Sequence, residues 1–195
     1  LGLTDTRGRG IVPNSKLHRD NISLGVTQKV AKRLTVDAHV DFIREDANDR
    51  PVTGGGRGGD VSTILWVNSN MPTSALAPGY LENGSEKTLG TDLNATNPYF
   101  VVNRMSNTSV KNRLIGSTQI KWDILDWLFI QGRVGQDHFT YRTDQILPEG
   151  TGFIKPGRII QRNTAFTERN WEMLIGVNKD LGSDFNLNVN AGGNI

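Results

Sequence analysis

Residues able to do chemistry are few in this chain and widely separated. His18, His39 and His138 lie in three different segments, and no pair has the spacing of metal ligands. The run "GGGRGGD" (54–60) has the glycine content of a phosphate loop. It lacks the Lys-Ser/Thr that grips phosphate and magnesium, and no strand leads into it with a helix behind, so it reads as a flexible loop. Carboxylates are numerous, but none pairs off as an acid and a base. With no cysteine there is neither a thiolate nucleophile nor a disulfide framework. Asn21, Asn83, Asn94 and Asn107 each open an Asn-x-Ser/Thr triplet, as chance produces in an Asn-rich chain. No enzyme, metal site or cofactor is expected. What remains are aromatic residues in the long connection 46–111: Trp66, Tyr80, Tyr99 and Phe100, exposed rings that could stack on sugars or peptide side chains, seat a partner, or simply hold the loop together.

The elements that would carry these residues are strands. In "VDAHVDFIRED" (36–46), Val36, Ala38, Val40 and Phe42 share one parity, and Asp37, His39 and Asp41 the other. That is an extended segment with one oily face and one charged face. The clearest case is "DFNLNVNAGG" (184–193), where Leu187 and Val189 alternate with Asn186, Asn188 and Asn190. Seven strands are expected, over residues 1–7, 20–30, 34–45, 112–124, 126–142, 163–180 and 184–193. The connections after strands two, four and six are tight, and those after one, three and five are long. In an up-and-down antiparallel sheet this sorts short turns to one end and long loops to the other, as in outer-membrane barrels. Trp122 and Trp127 flank one tight turn, where an aromatic girdle would meet the lipid boundary.

Composition agrees with this picture. Of 195 residues, 36% are hydrophobic, and 22 glycines favour turns and strands over helices. A net charge of +2 with scattered basic residues gives no nucleic-acid surface. No stretch approaches the ~18 apolar residues of a membrane helix. The chain opens on "LGLTDTRGRG", without Met or a signal peptide, and reads as a cut-out segment. The expected fold is all-β: a partial outer-membrane barrel over 1–195, forming an open curved sheet of about seven antiparallel strands. Leu24, Val36, Val40, Phe42, Leu187 and Val189 would face lipid, and Asp37, His39, Asp41, Asn186, Asn188 and Asn190 the lumen.

Several segments occur in a familiar order: "GIVPNS" (10–15), "RLTVDAHVDFIRE" with "NDRP" (48–51), "NPYFVVN" (97–103), "NRLIGSTQIKWDILDWLFIQGRVGQD" and the terminal "FNLNVNAGGNI". Together they make the chain resemble the SusC/RagA-like TonB-dependent outer-membrane transporters of Bacteroidetes. The resemblance implies a barrel of roughly 22 strands around a plug. It also implies a SusD-like surface lipoprotein as partner, uptake of glycans or peptides, and energy from TonB through parts not present here. The alternative is an extracellular β-sandwich that binds glycans or mediates adhesion.

Overall fold

The computed structural model describes residues 1–50, 61–67, 69–90 and 95–195. Seven strands form one sheet in sequence order: β1 (Gly2–Arg9), β2 (Lys16–Ala31), β3 (Leu34–Asn48), β4 (Ser106–Leu125), β5 (Leu128–Leu147), β6 (Arg158–Asp180) and β7 (Asn186–Asn194). Every neighbouring pair is antiparallel. A sandwich needs a second sheet, and all seven strands lie in this one. The fold is an open antiparallel segment of barrel wall.

Two-residue connections, Lys32–Arg33 and Asp126–Trp127, close the β2–β3 and β4–β5 hairpins. Neighbouring turns are tied together by Arg33, whose Nη1 donates to the Ile124 carbonyl at 2.8 Å and whose Nη2 donates to Asp126 Oδ1 at 2.7 Å. The β6–β7 turn spans residues 181–185, with Gly182 at φ 106, a left-handed value that suits glycine.

At the other end the strands run further than alternation foretells. β2 begins at Lys16 rather than near residue 20, β3 continues to Asn48, β4 begins at Ser106, and β6 begins at Arg158. The connections shrink accordingly to 10–15, 49–105 and 148–157. Residues 46–48 and 106–111, expected within the long loop, belong to strands. There both faces carry polar side chains, so the period-2 signal fades while the ladder of backbone hydrogen bonds continues.

The buried apolar side chains do not lie under the sheet. Among the described residues they are Ala47, Leu76, Ala95, Phe100, Val101 and Leu147, all in or beside the long connections. The loops thus form a small packed cap. It contains a 3-10 turn at Val61–Trp66 and one short helix, α1 (Pro98–Arg104). Asn97 caps α1 by accepting from the Tyr99 N–H at 3.0 Å, and Pro98 occupies the first helical position, where a missing N–H costs nothing.

Candidate functional site

Register propagates each strand's parity across the sheet. Val40 pairs with Leu24 and Gly116, Val36 with Gln28 and Ile120, and Phe42 with Ile22 and Leu114. Further along, Ile120 pairs with Gly132, Gly132 with Met173, and Val177 with Val189. Leu24, Val36, Val40, Phe42, Leu187 and Val189 therefore share one face. Asp37, His39, Asp41, Asn186, Asn188 and Asn190 share the other.

The apolar face is a band of limited height. On β3 it runs from Leu34 to Phe42, eight residue steps or roughly 27 Å along the strand. On β6 the band covers Trp171, Met173, Ile175 and Val177, so its upper edge sits lower in the register than on β3. A horizontal band that crosses hydrogen-bonded rows obliquely is what tilted, staggered strands produce. The band is uncovered: Trp171 is 61% exposed and Met173 62%. Above it this same face turns polar, with ion pairs Arg44–Asp46 (3.0 Å) and Arg142–Asp144 (2.8 Å). Asp5, His18 and Asp20 also meet there, with His18 Nε2 lying 3.1 Å from Asp5 and 3.3 Å from Asp20. Their ligand atoms lie within 4.8 Å of one another, a juxtaposition that single-strand spacing cannot reveal.

The polar face is a continuous hydrogen-bonded surface. Thr27 Oγ1 donates to Asp37 at 2.6 Å, His39 Nε2 lies 2.8 Å from Asp41, and Arg113 Nε donates to Asp137 at 2.8 Å. Glu45 accepts from Arg19 Nε at 3.0 Å and from Arg50 at 3.3 Å. Asn186 donates to Asp180 at 2.7 Å, and Asn190 to Asn188 at 3.2 Å. Four aromatic residues of the same parity, Phe129, Phe139, Tyr141 and Phe166, escaped the sequence reading. Phe139 and Phe166 stack at 5.3 Å, and Lys111 Nζ lies 4.7 Å from the Phe139 ring centre. Their signal was an aromatic at a polar-parity position. Such a surface offers paired charges, amides and ring faces to a polar solute.

Cap and wall meet on the polar side. Leu147 is 2% exposed while its neighbour Ile146, on the opposite parity, is 43% exposed. Ala47 is buried on the polar parity as well. Glu86 is the tie between the two long connections. Its Oε1 accepts from the Asn97 N–H and its Oε2 from the Gly152 N–H, both at 2.7 Å. Asn97 Nδ2 in turn donates to the carbonyls of Leu76 and Lys87, both at 2.9 Å. Gly79 (φ +92) lets α1 approach closely, because a Cβ there would lie 2.2 Å from the Phe100 nitrogen. Between the two connections lies a polar groove of about 760 Å³, lined in part by Ser85, Glu86, Arg104, Glu149 and Lys155.

The four loop aromatics separate. Phe100 is fully buried, at 0% exposure, so the expectation of an exposed ring is corrected: it packs the cap. Tyr80 and Tyr99 are half-buried, and Arg104 lies 5.4 Å from the Tyr80 ring centre. Trp66 ends the 3-10 turn, and its side chain lies outside the described residues, as does the glycine run 54–60.

A single-layered antiparallel wall with one apolar and one polar face defines a β-barrel segment. Among solved structures, the chain is similar to "Structure of the RagAB peptide importer in the 'closed-closed' state", with a TM-score of 0.68 at 14% sequence identity. The alignment covers 96% of this chain and 21% of that one, so this chain spans about a fifth of its length. No family model and no curated protein matches the chain.

Proposed function

We propose that this chain forms wall and outer loops of an outer-membrane importer of the SusC/RagA-like, TonB-dependent type. Its substrates would be peptides or glycans, received with a SusD-like surface lipoprotein. The observation that carries this reading is the uncovered apolar band on one face of a single sheet, backed by a polar, ion-paired face. Lipid covers the band, which at a strand tilt of ~40° stands about 20 Å high, close to the ~25 Å of known barrels. Leu24, Val36, Val40, Phe42, Leu187 and Val189 face lipid; Asp37, His39, Asp41, Asn186, Asn188 and Asn190 face the lumen. The tight turns lie on the periplasmic side and the cap outside, over the mouth. Tyr80 and Tyr99 are the loop aromatics placed to touch substrate or lipoprotein. The importer it resembles in fold carries peptides, which makes peptides the first substrate to test.

The experiment is uptake of labelled oligopeptides and oligosaccharides by cells lacking the parent protein, with and without a restoring copy. Loss of one class, regained on complementation, supports import. Unchanged uptake of both contradicts it.

A further inference from the structure

The polar groove between the two long connections is bounded by hydrogen-bonded backbone. On one side the Leu81 N–H donates to the Ser85 carbonyl and the Gly84 N–H to the Leu81 carbonyl, both at 2.8 Å. On the other the Gly150 N–H donates to the Lys155 carbonyl at 2.8 Å. Glu86 joins the two walls along the floor. Its N–H donates to the Gly150 carbonyl at 3.0 Å, beside the bond its side chain accepts from Gly152. The space of about 760 Å³ above it is therefore set by two tight turns rather than by loose chain.

Two cations stand on this groove. Arg104, the last residue of α1, lies 5.4 Å from the Tyr80 ring centre, and a Cβ built at Gly84 (φ +81) would come within 3.2 Å of its Nη2. The guanidinium is thus seated between a ring and a glycine. Lys155 lines the groove from the other connection. Among the described residues no carboxylate forms an ion pair with either cation, although Glu149 lines the same groove. The two oxygens of Glu86 are committed to the N–H groups of Asn97 and Gly152, which already stabilise its charge. Two unpaired cations therefore face one available carboxylate.

From this geometry we infer that the groove binds one carboxylate of an oligopeptide substrate, either its C-terminal group or an Asp or Glu side chain. The Arg104 guanidinium forks onto both oxygens, and the Lys155 ammonium faces the group from the opposite wall. A planar fork matches a planar carboxylate. An excess of one positive charge suits a monoanion, and Glu149 repels a dianion such as a phosphate monoester. Arg104 gives up little freedom on binding, because Tyr80 and Gly84 already hold it. The inference rests on the import reading above and names the substrate chemistry met at the outer loops.

The test uses the full-length parent protein in detergent, with any partner that stays bound, and the fluorescence anisotropy of a labelled oligopeptide carrying a free C-terminus and one central Asp. The unlabelled competitors are the same peptide, its C-terminal amide, its Asn form, the form with both changes, and oligogalacturonate. Heat-modifiable electrophoresis reports the folded barrel of each variant. Neutralising the bound group should weaken competition roughly tenfold, and the change that does so tells a C-terminus from a side chain. Arg104→Gln and Lys155→Gln should each shrink that difference while binding the doubly neutral peptide as the wild type does. Competition indifferent to both changes, or folded variants that keep the wild-type preference, overturns the inference and leaves peptide import standing. Tighter binding of oligogalacturonate than of the peptide overturns it in favour of an acidic glycan. A parent protein that binds none of the peptides, in cells that take none up, overturns peptide import and the inference together.

Discussion

Glu86 shows how one side chain organises the outer loops. It is 5% exposed, and its two carboxylate oxygens bind backbone N–H groups from different connections, at Asn97 and Gly152. Removing it leaves the buried Asn97 N–H unpaired, at about 1–3 kcal/mol, and the part-buried Gly152 N–H as well, at less. Glu86→Ala should therefore make connections 49–105 and 148–157 sensitive to protease together in the otherwise folded parent, while Glu86→Gln, which keeps one acceptor oxygen, should do so less. Cleavage in only one connection would show that Glu86 does not couple them. This role was not legible in the sequence, because nothing near Glu86 marks its partner 66 residues away. The cap of α1 was legible in principle: Asn followed by Pro ahead of an apolar run is a helix start. Phe100 looked available for the opposite reason, since loop position foretells exposure and says nothing of a cap with its own core.

The strands follow the physics of their surroundings segment by segment. Alternation in β3 and β7 located the inner halves because there one face is apolar and the other polar. It faded toward the loops, so the outer ends of β2 (16–19), β4 (106–111) and β6 (158–162) went unread although pairing continues. β6 has 23 residues, against the ~9–11 that cross a bilayer, so about half of it stands beyond the band. The two faces of β3 give an asymmetric prediction. Val40→Arg places a charge in the band and should destabilise the folded parent barrel by ~2–4 kcal/mol in urea titrations in lipid vesicles. His39→Arg, one residue away, keeps a hydrogen-bond donor beside Asp41 on the polar face and should be tolerated. Equal damage from both would indicate a sheet packed on both faces.

For the whole molecule, the proposed function requires the wall to separate two solvents and the cap to meet the outside. A cysteine at exposed Glu82 should react with an impermeant reagent on intact cells carrying the parent protein, and one at Ser183, in the β6–β7 turn, should react only after the outer membrane is opened. The reverse pattern would invert the topology. The central claim, that one face of this sheet meets lipid, has its most direct test along β3. Single spin labels at each position of Leu34–Asn48 in the membrane-embedded parent would be scored for collisions with oxygen, which concentrates in lipid, and with a water-soluble nickel chelate. The account predicts oxygen access at Leu34, Val36, Ala38, Val40 and Phe42, chelate access at the intervening residues, and loss of the alternation from Arg44 outward. Chelate access at both parities through Val36–Phe42, or protection from both quenchers at the apolar positions, would contradict it.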